Sequence, residues 1–423
     1  MASYLPLLLF CLLNARAVLS QAPAFLGFGN AGGLGVWVGG RVGFPVSYGY
    51  PPPGAGTPSD PQPSSEYTAL QAWKSAITED PSGVLASWVG PNVCSYKGVF
   101  CSSLPPADPY SPPSSGHVVF GIDLNKANLR GTLVKEFALL SHLSILHLNG
   151  NRFTGTVPDA FSDIATLTEL DLSNNRFSGP FPAATLDMPS LVYLDLRFNS
   201  FSGNLPEELF MKGLDAIFLN NNFFEGQIPM SLWSSPASVI SLANNRFSGP
   251  VPASFGYMGS GIKEVLFLNN KLTGCIPEGL GFLSEIEVLD LSFNSLTGHL
   301  PSTLSCLSSI EVLNIAHNQL SGVLPDLVCS LRSLLNLTIS FNFFSGFGQG
   351  CGRAFRSVWF DFVGNCIPGR GMQRPPPECT GVPGEGLSCF QMSPGRPVAC
   401  GGPMGAGVGF PYKLPSSAVP SSP

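Results

Sequence analysis

Asparagine recurs about every 24 residues along most of this chain, at Asn128, Asn151, Asn175, Asn199, Asn222, Asn245, Asn270, Asn294, Asn318, Asn342 and Asn365. Apolar residues stand five and three positions before most of them: Leu146 and Leu148, Leu170 and Leu172, Leu194 and Leu196, Leu289 and Leu291. A glycine usually follows four positions later, as at Gly155, Gly179, Gly203 and Gly298, and then a proline, as at Pro158, Pro206, Pro229 and Pro277. Each part has a physical task. In a short strand the paired apolar residues point to the same side, so both face inward. The asparagine amide can bond backbone groups of neighbouring coils that no sheet satisfies. Glycine permits a tight turn, and proline stiffens the return. No coil buries its apolar face alone, so the coils must stack. At about 4.8 Å per stacked strand the array spans roughly 50 Å.

The period lies in the leucine-rich-repeat range, so the fold expected is an α/β solenoid. Its apolar ends need caps. Ala69, Leu70, Trp73 and Ile77 recur at helical spacing before a stop at Pro81-Ser82-Gly83, and Trp88 follows. We read residues 65–117 as the N-terminal cap, 118–350 as repeats, 351–400 as the last coil with a Cys-rich C-terminal cap, and 401–423 as a tail. Residues 21–64 form a Gly/Pro-rich leader. Its Gly27-x-Gly29-x-x-Gly32 imitates a dinucleotide fingerprint without the flanking strand and helix, so no cofactor is expected.

Residues 1–20 read as a secretory signal, with Leu5–Leu13 as its apolar core and Val18 and Ser20 before the cleavage point. No later segment reads as a membrane span. Ten cysteines then remain, an even number in an exported chain, and no C-x-x-C pair suggests zinc. Cys94 and Cys101 are expected to pair locally. Cys329 with Cys351 is a further expected pair, and Cys366, Cys379, Cys389 and Cys400 are expected to pair among themselves. A net charge of −6 with no basic run argues against nucleic acid. The five histidines are dispersed, and no H-E-x-x-H or G-x-S-x-G occurs, so no enzyme and no metal site is expected.

Strand periodicity places His147, Asp171, Asp195, Phe218, Ser241, Leu266, Asp290, Asn314 and Thr338 outward on the concave sheet. Two positions on come Asn149, Ser173, Arg197, Asn220, Ala243, Leu268, Ser292, Ala316 and Ser340. Glu169, Asp171, Asp195 and Asp290 supply carboxylates there, Tyr193 and Phe218 aromatic surface, Leu266 and Leu268 apolar surface, and Arg197 a cation. Such a mixture suits a basic, partly apolar peptide. Asn336-Leu-Thr338 is the sole N-x-[ST] sequon. Glycosylated Asn336 would block the C-terminal end of this face and leave the ligand nearer the N-terminal coils.

Several segments resemble plant leucine-rich-repeat extensins. They include Trp88-Val89-Gly90-Pro91-Asn92-Val93-Cys94-Ser95-Tyr96-Lys97-Gly98-Val99-Phe100-Cys101, Leu194-Asp195-Leu196-Arg197-Phe198-Asn199 and Asn365-Cys366-Ile367-Pro368-Gly369-Arg370. The resemblance runs from about Glu66 to Cys400. It implies a plant-type leucine-rich-repeat superhelix with disulfide-stabilised N- and C-terminal caps, in a protein of the apoplast or cell wall. It also implies binding of secreted, cysteine-rich basic peptides of the rapid-alkalinization-factor type, linking wall state to growth control. Wall polysaccharide and receptor kinases are further candidate partners. Two departures stand out. The extensin tail of Ser-Pro blocks is absent, so the chain reads as a short relative. Thr154 stands where the family often carries Cys. Two other functions fit the same fold: inhibition of secreted wall hydrolases such as polygalacturonases, and a structural role in the wall.

Overall fold

A computed structural model describes residues 64–103, 116–256, 261–354, 358–382 and 389. The expected signal segment, nearly all of the leader, Cys400 and the tail lie outside them. The N-terminal cap begins with a helix, Ser65–Ala76, which buries Ala69, Leu70 and Trp73. Ile77 does not continue the helix; it opens a strand, Ile77–Glu79. That strand pairs antiparallel with Arg130–Thr132. The strand Val99–Ser103, anchored by the Cys94–Cys101 disulfide, pairs antiparallel with His117–Asp123. The cap therefore supplies the first strand of two different sheets, so both strands of the first coil are paired on the side that faces the cap. Trp73 meets Phe137 edge-on at 4.7 Å and stacks near Phe153 at 5.8 Å, covering the apolar end of the first coils. Trp88 is wholly buried and donates its indole N–H to the Lys97 carbonyl at 3.0 Å.

From there the coils add strands in parallel. One sheet has 12 strands and collects the L-x-L segments. Leu146, Leu170, Leu194, Ile217, Ile240, Val265, Leu289, Leu313 and Leu337 point inward and are fully buried. The asparagine ladder runs behind it. Asn245 donates to the carbonyls of Leu219 at 3.0 Å and Leu242 at 3.1 Å, and its Oδ1 accepts from the Phe224 N–H at 3.0 Å. Asn151 repeats the pattern with Leu124, Leu148 and Leu129. Asn128 is the exception. It is exposed with φ 57°, and Ala127 occupies the ladder position of its coil. No parallel coil precedes this one, so an amide there has no neighbouring carbonyl to serve.

The second sheet was not anticipated. Among the described residues it has 11 strands: Ile77–Glu79 of the cap, Arg130–Thr132 of the first coil, and then the segments just after each ladder asparagine up to Asn342, such as Arg152–Gly155, Arg176–Gly179 and Ser200–Gly203. Its inward residues build a column of phenylalanines: Phe153, Phe177, Phe201, Phe224 and Phe247 stack at 6.2–6.5 Å between ring centres. The prolines that follow cap short 3-10 turns, as Pro158 does for Asp159–Asp163 and Pro301 for Ser302–Cys306.

Cys329 pairs with Cys351, and Cys366 with Cys379. The expectation that the four last cysteines pair among themselves fails at Cys389, which bonds Cys275 across 114 residues. The chain returns to the middle coils, where Cys389 Sγ lies 3.9 Å from the Thr297 carbonyl and a Cβ on Gly298 would strike it. Spacing along the chain carries no trace of that return. Cys306 is disulfide-bonded as well.

Candidate functional site

The expected outward positions do form one row. His147, Asp171, Asp195, Phe218, Ser241, Leu266, Asp290, Asn314 and Thr338 are register partners on successive strands. A second row on the same face runs Ile145, Glu169, Tyr193, Ala216, Val239, Glu264, Val288, Val312 and Asn336.

An open row of carboxylates is not what these positions make. Glu169 is buried and lies 3.0 Å from His147 Nε2. Burial works to hold the imidazole neutral, but the bond and charge of Glu169 outweigh it and raise its pKa. Asp195 is wholly buried. Its Oδ2 accepts from Arg197 Nε at 2.8 Å and from the Tyr193 hydroxyl at 3.3 Å, and its Oδ1 from the Arg197 N–H at 3.0 Å. Burial, reinforced by the nearby Asp171 charge and opposed by Arg197, pushes its pKa up to about 8. Asp171 keeps partial exposure while accepting from Ser173. Strands about 4.8 Å apart bring side chains of adjacent coils into contact, so an outward residue can be enclosed by its neighbours. Tyr193 is likewise buried. Its ring lies 5.7 Å from that of Phe218, over which the Arg197 guanidinium sits at 4.9 Å.

Leu266, which ends the strand Glu264–Leu266, and Leu268 just beyond it are half-buried. Asp290 accepts from Ser292 and from Asn314 Nδ2, and burial raises its carboxyl. Thus Glu169, Asp171, Tyr193, Asp195, Arg197 and Phe218 form one connected patch on three neighbouring coils, apart from Leu266, Leu268 and Asp290 further along.

Sequence reasoning missed a second aromatic feature. Phe293, His317 and Phe341 stand one position before successive ladder asparagines, all with positive φ. His317 is sandwiched between the two phenylalanines at 4.1 and 4.3 Å, and burial lowers its pKa. The signal was present as Phe-Asn, His-Asn and Phe-Asn dipeptides at the repeat period.

Among the described residues an open depression occurs at each end of the array. One of about 420 Å³ is lined by Phe341, Met372 and Arg374, the other of about 490 Å³ by Glu79, Arg130 and Thr154. Among the described residues no group of three or more His, Cys, Asp or Glu side chains is placed to hold a metal. No described helix is long and apolar enough to cross a membrane.

Family models match in three places: a leucine rich repeat N-terminal domain over residues 63–102, and leucine rich repeats over 141–201 and over 285–307 with 309–331. Among curated proteins the chain is 63% identical over 229 residues to Leucine-rich repeat extensin-like protein 7 of Arabidopsis thaliana, which covers 54% of this chain and 51% of that one. The region matched carries leucine rich repeats and is similar to that of leucine-rich repeat extensin-like proteins. Extensin-like protein 6 of the same plant is 50% identical over 238 residues, covering 56% of this chain and 49% of the relative. The chain thus spans about half the length of the curated relatives it matches. Among solved structures the plant peptide hormone receptor RGFR1 in complex with RGF2 aligns with a TM-score of 0.56 at 26% identity, over 58% of this chain and 40% of that one.

Proposed function

We propose that this protein is an extracellular binding protein of the plant cell wall. In this reading it takes a secreted, cationic, cysteine-rich peptide of the rapid-alkalinization-factor type on the face of its 12-stranded sheet, and so links wall state to growth. One observation carries the reading: the connected patch of Glu169, Asp171, Tyr193, Asp195, Arg197 and Phe218, in which the partly exposed Asp171 and Phe218 stand over buried, mutually bonded partners. Asp171 and Phe218, held in place by the buried Glu169, Tyr193 and Asp195 beneath and by Arg197 over the Phe218 ring, offer a preformed surface. The aromatic contacts supply most of the affinity, and the acids set on-rate and specificity. Similarity to extensin-like proteins and to a peptide-hormone receptor supports a peptide as ligand. The disulfides fit an oxidising compartment.

The test is calorimetric titration of the secreted protein with alkalinization-factor peptides, beside Phe218→Ala and Asp171→Lys variants. Phe218→Ala should weaken binding about tenfold or more, as loss of a central aromatic anchor does. Asp171→Lys should slow association, most visibly at low salt. Equal binding by all three proteins removes the patch as the site. Retention of a wall hydrolase, with no peptide bound, replaces this reading with inhibition of such enzymes.

A further inference from the structure

Asn336 differs from the ladder asparagines in what its amide does. Each ladder asparagine from Asn151 to Asn365 spends its Nδ2 on carbonyls of two coils, as in Asn318 and Asn342. Asn336 lies on the strand Asn336–Thr338, half-exposed on the outer side of the 12-stranded sheet. Its Oδ1 accepts the Thr338 hydroxyl at 3.0 Å, while its Nδ2 donates to no described residue. The next strand, Trp359–Asp361, is the last of that sheet. Trp359 is the register partner of Asn336, so the two side chains rise side by side. Trp359 is 64% exposed. The exposed indole and the Asn336 amide thus stand next to each other on one face, where a sugar on Asn336 would meet the ring.

We propose that Asn336 carries an N-linked glycan and that its first sugar packs on the exposed part of Trp359. The proposal rests on the extracellular reading above. The donor is an oligosaccharide joined to a lipid pyrophosphate. Asn336 Nδ2 bonds to the anomeric carbon of the terminal N-acetylglucosamine as that carbon's bond to the phosphate oxygen breaks. The lipid pyrophosphate leaves with the electron pair, and the amide nitrogen loses one proton to base. No oxidation or reduction occurs. The neighbouring Trp359 then offers its apolar face to the sugar's C–H groups.

The chain is secreted from eukaryotic cells as wild type, Asn336→Gln, Thr338→Ser and Thr338→Ala. Wild type and Thr338→Ser should show a mass increment that a glycan-cleaving amidase removes; the other two should lack it. Oxidative labelling of Trp359 should rise after enzymatic removal of the glycan, and match that of Asn336→Gln. Secreted protein with the Cys94–Cys101 disulfide formed but an unmodified Asn336 peptide overturns the proposal while the extracellular reading stands. A reduced Cys94 would instead count against export. A glycan present with unchanged Trp359 labelling overturns the packing.

Discussion

At the residue scale, Asp195 shows how a side chain in an outward position becomes a buried titrating group. Its carboxyl moves from 3.8 to about 8 on folding, so between those values the folded state holds more protons than the unfolded chain. Stability then falls as pH rises across that window. His147 acts in the same direction. Its folded pKa lies above 6.5, so its contribution is complete below 6.5 and is lost as pH rises through the raised value. Urea midpoints measured from pH 4 to 9 should therefore decline, and Asp195→Asn should flatten the decline while His147→Gln alters only its neutral part. A midpoint that climbs over this range would contradict the burial of Asp195. That Asp195 stands in an outward position was legible from strand alternation. Its enclosure was not, because it depends on Arg197 folding back and on Asp171, which is 24 residues away in sequence and adjacent in space.

At the scale of the coil, the ladder asparagine ties each turn to the one before it. Asn245 holds carbonyls of its own coil and of the preceding one, and an N–H of the preceding one. Leucine at this position strands at least two buried groups at about 1–3 kcal/mol each. Neighbouring coils share the loss, since each repeat is stable only against its neighbours. The expected outcome is a drop of about 2–6 kcal/mol in chemical denaturation; a curve matching wild type would show the bond network to be dispensable. The inner strands were readable because L-x-L alternation reports them directly. The second sheet was not, because strands such as Ser200–Gly203 carry a single inward phenylalanine each and form only when the coils above and below align them.

At the scale of the molecule, the Cys275–Cys389 bond closes a loop of 114 residues over the C-terminal coils. A crosslink of that span restricts the unfolded chain strongly, with typical stabilisation of about 2–5 kcal/mol. Replacing both cysteines by serine should lower stability by that order under non-reducing conditions, with the inner-face patch unchanged. Unaltered stability would show the strap to be incidental to folding.

The sequence by itself determined the repeat, the row of outward positions, the asparagine ladder and the local Cys94–Cys101 bond. The first three are set by contacts within one coil or between identical positions of adjacent coils, so the period repeats the same instruction, and the disulfide joins cysteines only seven residues apart. Tertiary structure decided which outward groups stay open to a ligand, that Asn128 stands off the ladder, and that Cys389 finds Cys275. Those outcomes depend on particular side chains meeting across coils and on the chain doubling back, and neither leaves a mark at the repeat period.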